Sequence, residues 1–217
     1  MIGSTGSGKS TLVKLMNRFY DVSRGSIEIN GVDIRKYNLE SLRTQIGYVA
    51  QKAHMFKGSI QSNICFGKPE ASVEEMVHAA TVAQASDFIS TREHGYEDEI
   101  AEDGTNISGG QKQRLSIARV ILKKPSLYIY DDSFSALDFK TDATLRKALK
   151  PEVKNAIFFV VAQRISTIMD SDMIIVLDEG QIIGMGTHAQ LLKDCSVYQE
   201  IAHSQLTQKE LDDYERN

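Results

Sequence analysis

The sequence begins with a glycine-rich run that has the composition of a phosphate-binding loop. Residues 3–10 read Gly-Ser-Thr-Gly-Ser-Gly-Lys-Ser and fit the pattern G-x-x-x-x-G-K-[ST] without a mismatch. Glycines let the backbone fold tightly enough for its N–H groups to surround phosphates, and the N-terminus of a following helix adds positive potential. In this pattern Lys9 reaches the β- and γ-phosphates, and the Ser10 hydroxyl binds Mg²⁺. A flexible Gly/Ser leader is the alternative, but the amphipathic stretch that follows at once favours the loop.

The second group of residues that could carry chemistry is an acidic pair, Asp131 and Asp132, which directly follows the apolar run 127–130. A buried strand rarely ends in two carboxylates unless they face something positive. After a phosphate loop, an apolar strand that ends in Asp131 predicts the second Mg²⁺ contact, usually made through water. Asp132 follows directly and needs a different role.

A third candidate is the segment Asn-Ile-Ser-Gly-Gly-Gln at residues 106–111, which opens a helix. A hydroxyl and bare N–H groups at a helix start can form an anion site. An ordinary N-cap is the alternative, and the segment taken alone favours it. Two anion sites in one chain require either two phosphate groups or one nucleotide shared between two molecules.

Alternating strand and helix patterns connect these motifs and predict an α/β fold with a mostly parallel sheet. A helix is expected from about Lys9, with Leu12, Leu15, Met16 and Phe19 on one face. The remaining elements are predicted from apolar runs, turns and capping signals. Strands are expected at residues 46–50, 127–130, 157–161, 173–177 and 181–183, a hairpin around residues 30–31, and capped helices after residues 72, 108 and 187, with a frayed tail or late helix from residue 205.

The domain organisation follows from the helical signals that dominate residues 59–104. We expect a P-loop core of residues 1–55 and 105–217 and a helical lobe of residues 56–104.

Composition restricts the class of protein. The 217 residues are 41% hydrophobic and carry a net charge of -4, which suits a globular protein and argues against a general nucleic-acid binder. The cysteines, Cys65 and Cys195, are too few and too separated for a disulfide framework or a zinc site. Residues 156–162 are the longest apolar run, far short of the ~20 residues that span a bilayer. We expect a soluble chain with no secretory signal and no transmembrane segment.

Taken together, these motifs resemble the nucleotide-binding domain of ATP-binding cassette (ABC) transporters, from residue 3 to about residue 192. Residues 3–11 are similar to the Walker A motif, Gln51 to the Q-loop glutamine, residues 107–111 to the signature LSGGQ, residues 127–131 to Walker B and residues 135–138 to the D-loop. Residues 55–67 and 101–104 resemble the exporter branch in particular.

The resemblance implies a RecA-like P-loop NTPase with an inserted helical lobe, and it implies ATP and Mg²⁺ as ligands. The family has several strands before Walker A, and only two residues precede Gly3 here, so the resemblance implies that N-terminal strands of the core are missing. We therefore expect a fragment, or a chain of marginal stability when alone. It also implies a head-to-tail dimer, in which ATP lies between the Walker A motif of one chain and the signature of the other. The implied nucleotide-binding residues are Gly3, Ser4, Thr5, Gly6, Ser7, Gly8, Lys9, Ser10, Thr11 and Gln51. The implied metal-binding residues are Ser10, Gln51 and Asp131, the residues toward a partner's ATP are Ser108, Gly109, Gly110 and Gln111, and the D-loop residue is Asp138.

The same resemblance implies two kinds of partner. The helical lobe is expected to dock on the transmembrane domains of an exporter, at the cytoplasmic face of the cell membrane. A second ABC cassette would complete the dimer, whose closure drives transport.

Two residues depart from the family pattern at the implied catalytic positions. Asp132 stands where the family has a glutamate that orients or deprotonates the attacking water, and Gln163 stands where a histidine contacts the γ-phosphate. The pKa values of the two acids are similar, but aspartate is shorter by one carbon, about 1.5 Å. Glutamine cannot become cationic or move a proton. We hypothesise a degenerate ATP site in one half of a heterodimeric exporter of the multidrug type, which binds ATP and hydrolyses it weakly.

Two other functions stay open. A nucleotide-gated regulatory module would bind ATP with essentially no turnover. A soluble ABC relative that acts on DNA or ribosomes is disfavoured, because residues 52–107 contain no sustained heptads.

Overall fold

The computed structural model describes residues 1–206, which divide into two compact units. The first unit holds residues 1–22 and 160–206, and the second holds residues 23–159. The helices are α1 (Lys9–Met16), α2 (Leu39–Gln45), α3 (Ile60–Cys65), α4 (Val73–Val82), α5 (Ser86–Ser90), α6 (Gly109–Lys123), α7 (Phe139–Glu152), α8 (Ile165–Ile168), α9 (His188–Asp194) and α10 (Ser196–Gln205). The strands are β1 (Glu28–Ile29), β2 (Val32–Asp33), β3 (Ile46–Val49), β4 (Gly58–Ser59), β5 (Glu99–Ile100), β6 (Leu127–Asp131), β7 (Ile157–Val161), β8 (Ile174–Asp178) and β9 (Gln181–Gly186).

The first unit is built around β8. Ile2 forms a parallel bridge with Val176, and β8 pairs with β9 in an antiparallel hairpin. The helices α8, α9 and α10 supply much of the rest of this core. A cluster of buried hydrophobic side chains fills this core, and its members are Ile2, Ala162, Ile165, Ile168, Ile174, Val176, Leu191, Cys195, Tyr198 and Ala202.

The second unit contains a sheet with the strand order β3-β6-β7, in which β3 and β6 are parallel. Helix α6 packs against β3, and the contact is close at Gly47. A Cβ atom at Gly47 would lie 2.5 Å from Val120 Cγ1 and 2.6 Å from Pro125 Cγ. Because real side chains do not approach so closely, only glycine lets the strand pass under this helix.

Helices α3 and α4 pack on α6 within the same unit. Helix α4 begins with the predicted capping box, in which Ser72 and Glu75 each bond the other's backbone N–H. The guanidinium of Arg114 donates to the carbonyl oxygen of Gln84 at 2.7 Å and lies over the ring of Phe88. These contacts hold the start of α6, which carries the Ser-Gly-Gly-Gln segment, to the end of α4.

Most of the predicted elements are confirmed, within one or two residues at their ends. The predicted face of the first helix is wrong, because α1 ends at Met16 and Phe19 lies beyond it, 46% exposed. The buried positions are Val13 and Asn17, and Asn17 Nδ2 donates to the carbonyl oxygen of Val13 at 2.9 Å. An amide that caps its own helix ends the apolar stripe there.

Some elements have no counterpart in the sequence patterns. The two-residue strands β4 and β5 pair with each other inside the segment that was predicted to be helical. Strand β9 runs to Gly186, and α10 follows the helix that was expected to be the last. Gln205 is the last residue of α10 and Leu206 is its C-cap, and residues 207–217 of the expected tail lie outside the described residues. The division into a core and a lobe at residues 55 and 104 stays a prediction.

Among the described helices, none is both long enough and apolar enough to cross a membrane.

Candidate nucleotide site

The loop of residues 3–8 curls around the side chain of Lys9. Lys9 Nζ donates to the carbonyl oxygens of Gly3 at 2.8 Å and Ser4 at 2.6 Å, and to Ser7 Oγ at 3.2 Å. The loop thus places its one cation against its own carbonyls. The ammonium is thereby held inside the loop that the sequence pattern predicts to bind phosphate.

Two glycines give the loop its shape. Gly6 and Gly8 have φ angles of 85° and 98°, a region that side chains other than glycine rarely adopt. A Cβ atom at Gly6 would have no heavy atom within 4 Å, so the backbone faces open space there. Thr5 before this point, and Ser10 and Thr11 in the first turn of α1, are exposed. These residues are accessible to a ligand at the N-terminus of the helix.

The β8–β9 turn lies against the loop, which sequence reasoning missed. Ser4 Oγ donates to Asp178 Oδ1 at 3.1 Å, and the Gly180 N–H donates to the carbonyl oxygen of Ser7 at 3.1 Å. The sequence signals the turn itself through Asp-Glu-Gly at residues 178–180. Nothing in the pattern signals that its partner is a loop more than 170 residues earlier.

Gln163 lies between β7 and α8, with an exposed side chain. Its carbonyl oxygen accepts from Gln205 Nε2 at 2.8 Å, and Gln205 Oε1 accepts from the Ile165 N–H at 2.8 Å. The last residue of α10 therefore fixes the backbone at Gln163 and at the start of α8, while the Gln163 side chain itself is accessible.

The two acids at the end of β6 are both buried and have different partners. Asp131 is 4% exposed, and its Oδ2 accepts from the Tyr48 hydroxyl at 3.3 Å. Burial and the charge of Asp131 raise the pKa of Tyr48 to about 12, so the phenol stays protonated and donates. Asp132 is 8% exposed, and its Oδ2 accepts from Gln51 Nε2 at 3.1 Å.

The segment after β3 is fastened to the segment after β6. Ser133 Oγ donates to the carbonyl oxygen of Val49 at 3.3 Å, and Gln113 Nε2 donates to that of Ala50 at 3.1 Å. Together with the Gln51–Asp132 bond, these contacts bring two of the predicted site residues together within the second unit. Parallel pairing of β3 and β6 explains the meeting, because the carboxyl ends of the two strands lie at the same edge.

Asp132 also has an unusual backbone. Its φ angle is 49°, in the left-handed region. Among residues with a side chain, aspartate and asparagine enter this region most readily, because their short polar groups bond locally. The local backbone therefore favours aspartate over glutamate at this position, whatever the chemistry requires.

The predicted signature segment forms the start of α6. Ser108 is the N-cap: its Oγ accepts from the Gln111 N–H at 3.2 Å, while Gln111 Oε1 accepts from the Ser108 N–H at 2.9 Å. Both side chains are thus engaged in a capping box. A Cβ atom at Gly110 would lie 3.3 Å from the carbonyl oxygen of Ala136, so the helix start passes close to the predicted D-loop. No heavy atom lies within 4 Å of a Cβ atom built at Gly109.

Asp138 at the end of that D-loop is the N-cap of α7 and accepts from the Thr141 N–H at 3.0 Å. This hydrogen bond holds the pKa of Asp138 below its usual range. His188 is buried, and its Nδ1 lies 2.6 Å from the Tyr198 hydroxyl. Burial lowers the pKa of His188.

The comparisons with known proteins agree on one family. The family profile described as ABC transporter matches residues 1–135. The chain is 45% identical over 208 residues to an uncharacterized ABC transporter ATP-binding protein of Mycobacterium tuberculosis, covering 94% of this chain and 35% of that protein. It is 46% identical over 201 residues to a putative multidrug export ATP-binding/permease protein of Bacillus subtilis, covering 93% of this chain and 35% of that protein.

A solved structure shows the same likeness. The structure of a bacterial Atm1-family ABC exporter with ATP bound matches with a TM-score of 0.92 and 38% sequence identity. The match covers 95% of this chain and 36% of that chain. The chain therefore spans about a third of the length of these relatives.

The capping box at the start of α6 gives a prediction about stability. Replacing Ser108 by alanine removes the acceptor of the Gln111 N–H, and we expect the free energy of unfolding to fall by about 1 kcal/mol. Ser108→Asp keeps a capping oxygen and should retain most of the stability. Urea denaturation of the two variants and the parent measures the difference. Equal losses in the two variants would show that the cap does not stabilise α6.

Proposed function

We propose a function on one premise: the chain belongs to the ABC transporter family. It has the family's P-loop NTPase fold, and it is an ATP-binding domain of the kind found in ABC exporters. We infer that it binds MgATP at the loop of residues 3–11 and supplies energy for export through transmembrane domains. Its place would be the cytoplasmic face of a membrane.

The observation that carries this proposal is the arrangement of Lys9 in the loop. Lys9, at the start of α1, is held by three acceptors of the loop. Its positive charge therefore lies in a loop whose backbone at Gly6 faces open space. Helix N-termini favour anions, and a phosphate chain supplies several negative oxygens at that point. The residues present therefore fit a nucleoside triphosphate.

The oxygen-bearing residues fit Mg²⁺ as well, since this ion prefers hard oxygen ligands and keeps phosphate and water oxygens around it. Ser10 offers an exposed hydroxyl, and Asp131 offers a buried carboxylate that Tyr48 orients. Gln51 offers a side-chain amide oxygen, because its Nε2 is the atom engaged with Asp132. We propose these three residues as the protein contacts of the ion, which would supply positive charge to the phosphates.

Removing the Lys9 charge tests the nucleotide site. We expect Lys9→Ala to weaken the binding of a fluorescent ATP analogue by roughly 10- to 100-fold, since hydrogen bonds to charged groups contribute about 1.5–3 kcal/mol. Lys14→Ala, in the last turn of the same helix, is the matched control and should bind like the parent. Equal affinities of the parent and Lys9→Ala would refute an ATP site at this loop.

We propose further that hydrolysis at this chain's own site is weak. Asp132 lacks the reach of a glutamate by about 1.5 Å, and an error of 1 Å at a reacting centre costs about 10²-fold in rate. Its carboxylate is engaged by Gln51. Gln163 cannot act as a cation at the γ-phosphate. Both differences weaken the same step and leave the phosphate-binding residues in place.

The degenerate-site proposal is tested in the assembled transporter. Asp132→Glu combined with Gln163→His should raise ATP turnover at this site by at least about tenfold, because the first change restores reach and the second a cationic donor. Asp132→Asn with Gln163→His is the control, since it supplies no base. If the rate of ATP hydrolysis at this chain's own site were the same in the Glu/His variant and in the parent, the proposal would be wrong.

A second cassette is the partner that the two anion sites require. Ser108, Gly109, Gly110 and Gln111 would meet ATP bound by that partner through backbone N–H groups. The capping box supports a contact through the backbone, because the side chains of Ser108 and Gln111 are already hydrogen-bonded to each other's backbone N–H groups. The open space at Gly109 leaves the helix start accessible. Asp138 and the segment before it would lie at the same junction, as expected for a heterodimer.

The transmembrane domains would dock on an aromatic surface of the second unit, formed by Phe56 and Phe66. Their rings stack at 4.3 Å, and they are 48% and 60% exposed. The guanidinium of Arg119 lies over both rings, with its Cζ 5.4 Å from the ring centroid of Phe56 and 5.6 Å from that of Phe66. Arg119 also donates to the Asn63 carbonyl oxygen at 2.8 Å. Burial lowers the pKa of Arg119 to about 10, so it stays charged at neutral pH.

A cleft of about 480 Å³ adjoins Phe66, between α3 and α4, with Val73 and Met76 among its apolar walls. Exposed apolar surface beside a cleft is typical of an interaction site. In the relative named as an ATP-binding/permease protein, the segment that is similar to this chain makes up about a third of the length. We therefore propose a cytoplasmic helix of the membrane domains as the occupant.

Docking can be separated from nucleotide binding. Phe66→Ser should lower transport-coupled ATPase activity of the assembled exporter several-fold, since interface aromatic residues carry much of the binding energy. The affinity of the chain alone for ATP should change by less than about twofold. Val77→Ser, an exposed apolar residue on α4, is the control. Normal coupling in the Phe66 variant would place docking elsewhere.

The regulatory module without turnover is a second candidate, and the Gln51–Asp132 bond favours it. Single-turnover measurements separate the two functions: unhydrolysed ATP that stays bound for many turnovers of the partner site supports the module, and steady release of ADP from this site excludes it.

A further inference from the structure

The β8–β9 hairpin packs against the phosphate loop and contacts it at several points. Ile2, just before the loop, is held by two backbone bonds to β8, from the Ile2 N–H to Ile175 O and from the Leu177 N–H to Ile2 O, both at 2.9 Å. Where β8 ends, Asp178 Oδ1 accepts from Ser4 Oγ at 3.1 Å. The contact with β8 that begins at Ile2 thus continues into the loop through a side chain.

The loop and the end of β8 are in close contact at Gly3. A Cβ atom at Gly3 would lie 1.9 Å from the carbonyl oxygen of Leu177, so only glycine can occupy this position. At the other end of the loop, a Cβ atom on Gly8 would lie 3.6 Å from Leu177 Cδ2. Leu177 therefore lies under both ends of the loop.

The turn of the hairpin makes the third contact. Asp178 pairs with Gln181, and the two residues between them, Glu179 and Gly180, have φ angles of 43° and 79°. Two successive positive φ angles in a two-residue turn correspond to type I′, which matches the twist of the strands. This geometry fixes the Gly180 N–H, which donates to the Ser7 carbonyl oxygen at 3.1 Å.

From these contacts we infer that Asp178 is a positioning residue of the phosphate loop, which acts by fixing Ser4 and thereby the backbone of residues 4–7. The inference rests on the proposed function, since it assigns the residue to the ATP site. The carboxylate of Asp178 accepts from the Ser4 hydroxyl, so this contact uses a side-chain donor and leaves the backbone N–H groups of the loop for a phosphate. A loop fixed in advance loses less entropy on binding.

A double-mutant cycle tests the inference, with a fluorescent ATP analogue as the probe. Ser4→Ala and Asp178→Ala should each weaken binding by about three- to tenfold, the range for the loss of one hydrogen bond. The double variant should be no weaker than the weaker single variant, because both changes remove one interaction. Asp178→Asn keeps an acceptor oxygen and should stay within about twofold of the parent. Asp172→Ala removes an acid that is exposed before the start of β8 and is the control.

Hydrogen exchange in the absence of nucleotide gives a readout that does not depend on binding. The amides of residues 5–8 should exchange faster in Asp178→Ala than in Asp178→Asn, with an unchanged urea midpoint in both. If the parent binds no ATP, the proposed function fails, while faster exchange would still support the positioning role. Losses that add in the double variant, tighter binding by Asp178→Ala, or unchanged exchange would each overturn the inference.

Discussion

A phosphate loop has to keep its shape without using the N–H groups that face its ligand. The structure meets this constraint by holding the loop chiefly through oxygen atoms. Lys9 bonds the carbonyls of Gly3 and Ser4, Gly180 bonds the carbonyl of Ser7, and the Ser4 hydroxyl bonds Asp178. On the loop itself, each of these contacts uses a carbonyl oxygen or a hydroxyl, and none of them uses a backbone N–H group that a phosphate would need.

The same division appears at the end of β6, where two adjacent carboxylates have different partners. Asp131 meets a phenol, whose raised pKa keeps it a donor, and Asp132 meets the amide of Gln51. A left-handed backbone at Asp132 turns the chain between the two acids. Asp132 lies just past the end of β6, and this turn allows two adjacent acidic side chains to be buried with separate hydrogen-bond partners.

The elements that the sequence predicted well are those whose signal is local. Capping boxes at Ser72, Ser108 and Thr187 lie within four residues, and the structure has all three. The hairpin predicted around residues 30–31 is likewise present. What the sequence could not give is set by distant partners. The two-residue strands β4 and β5 carry no periodicity, and the bond between Ser4 and Asp178 joins residues 174 positions apart.

The backbone at residue 132 separates two explanations for its short acid. A left-handed conformation favours aspartate over glutamate on local grounds, so Asp132 by itself is weak support for a site that only holds ATP. Gln163 has no such backbone reason, because its φ angle is not positive. The glutamine is therefore the stronger argument for weak hydrolysis. The aspartate gains weight from its bond to Gln51, which keeps a carboxylate of limited reach directed at the protein's own side chain.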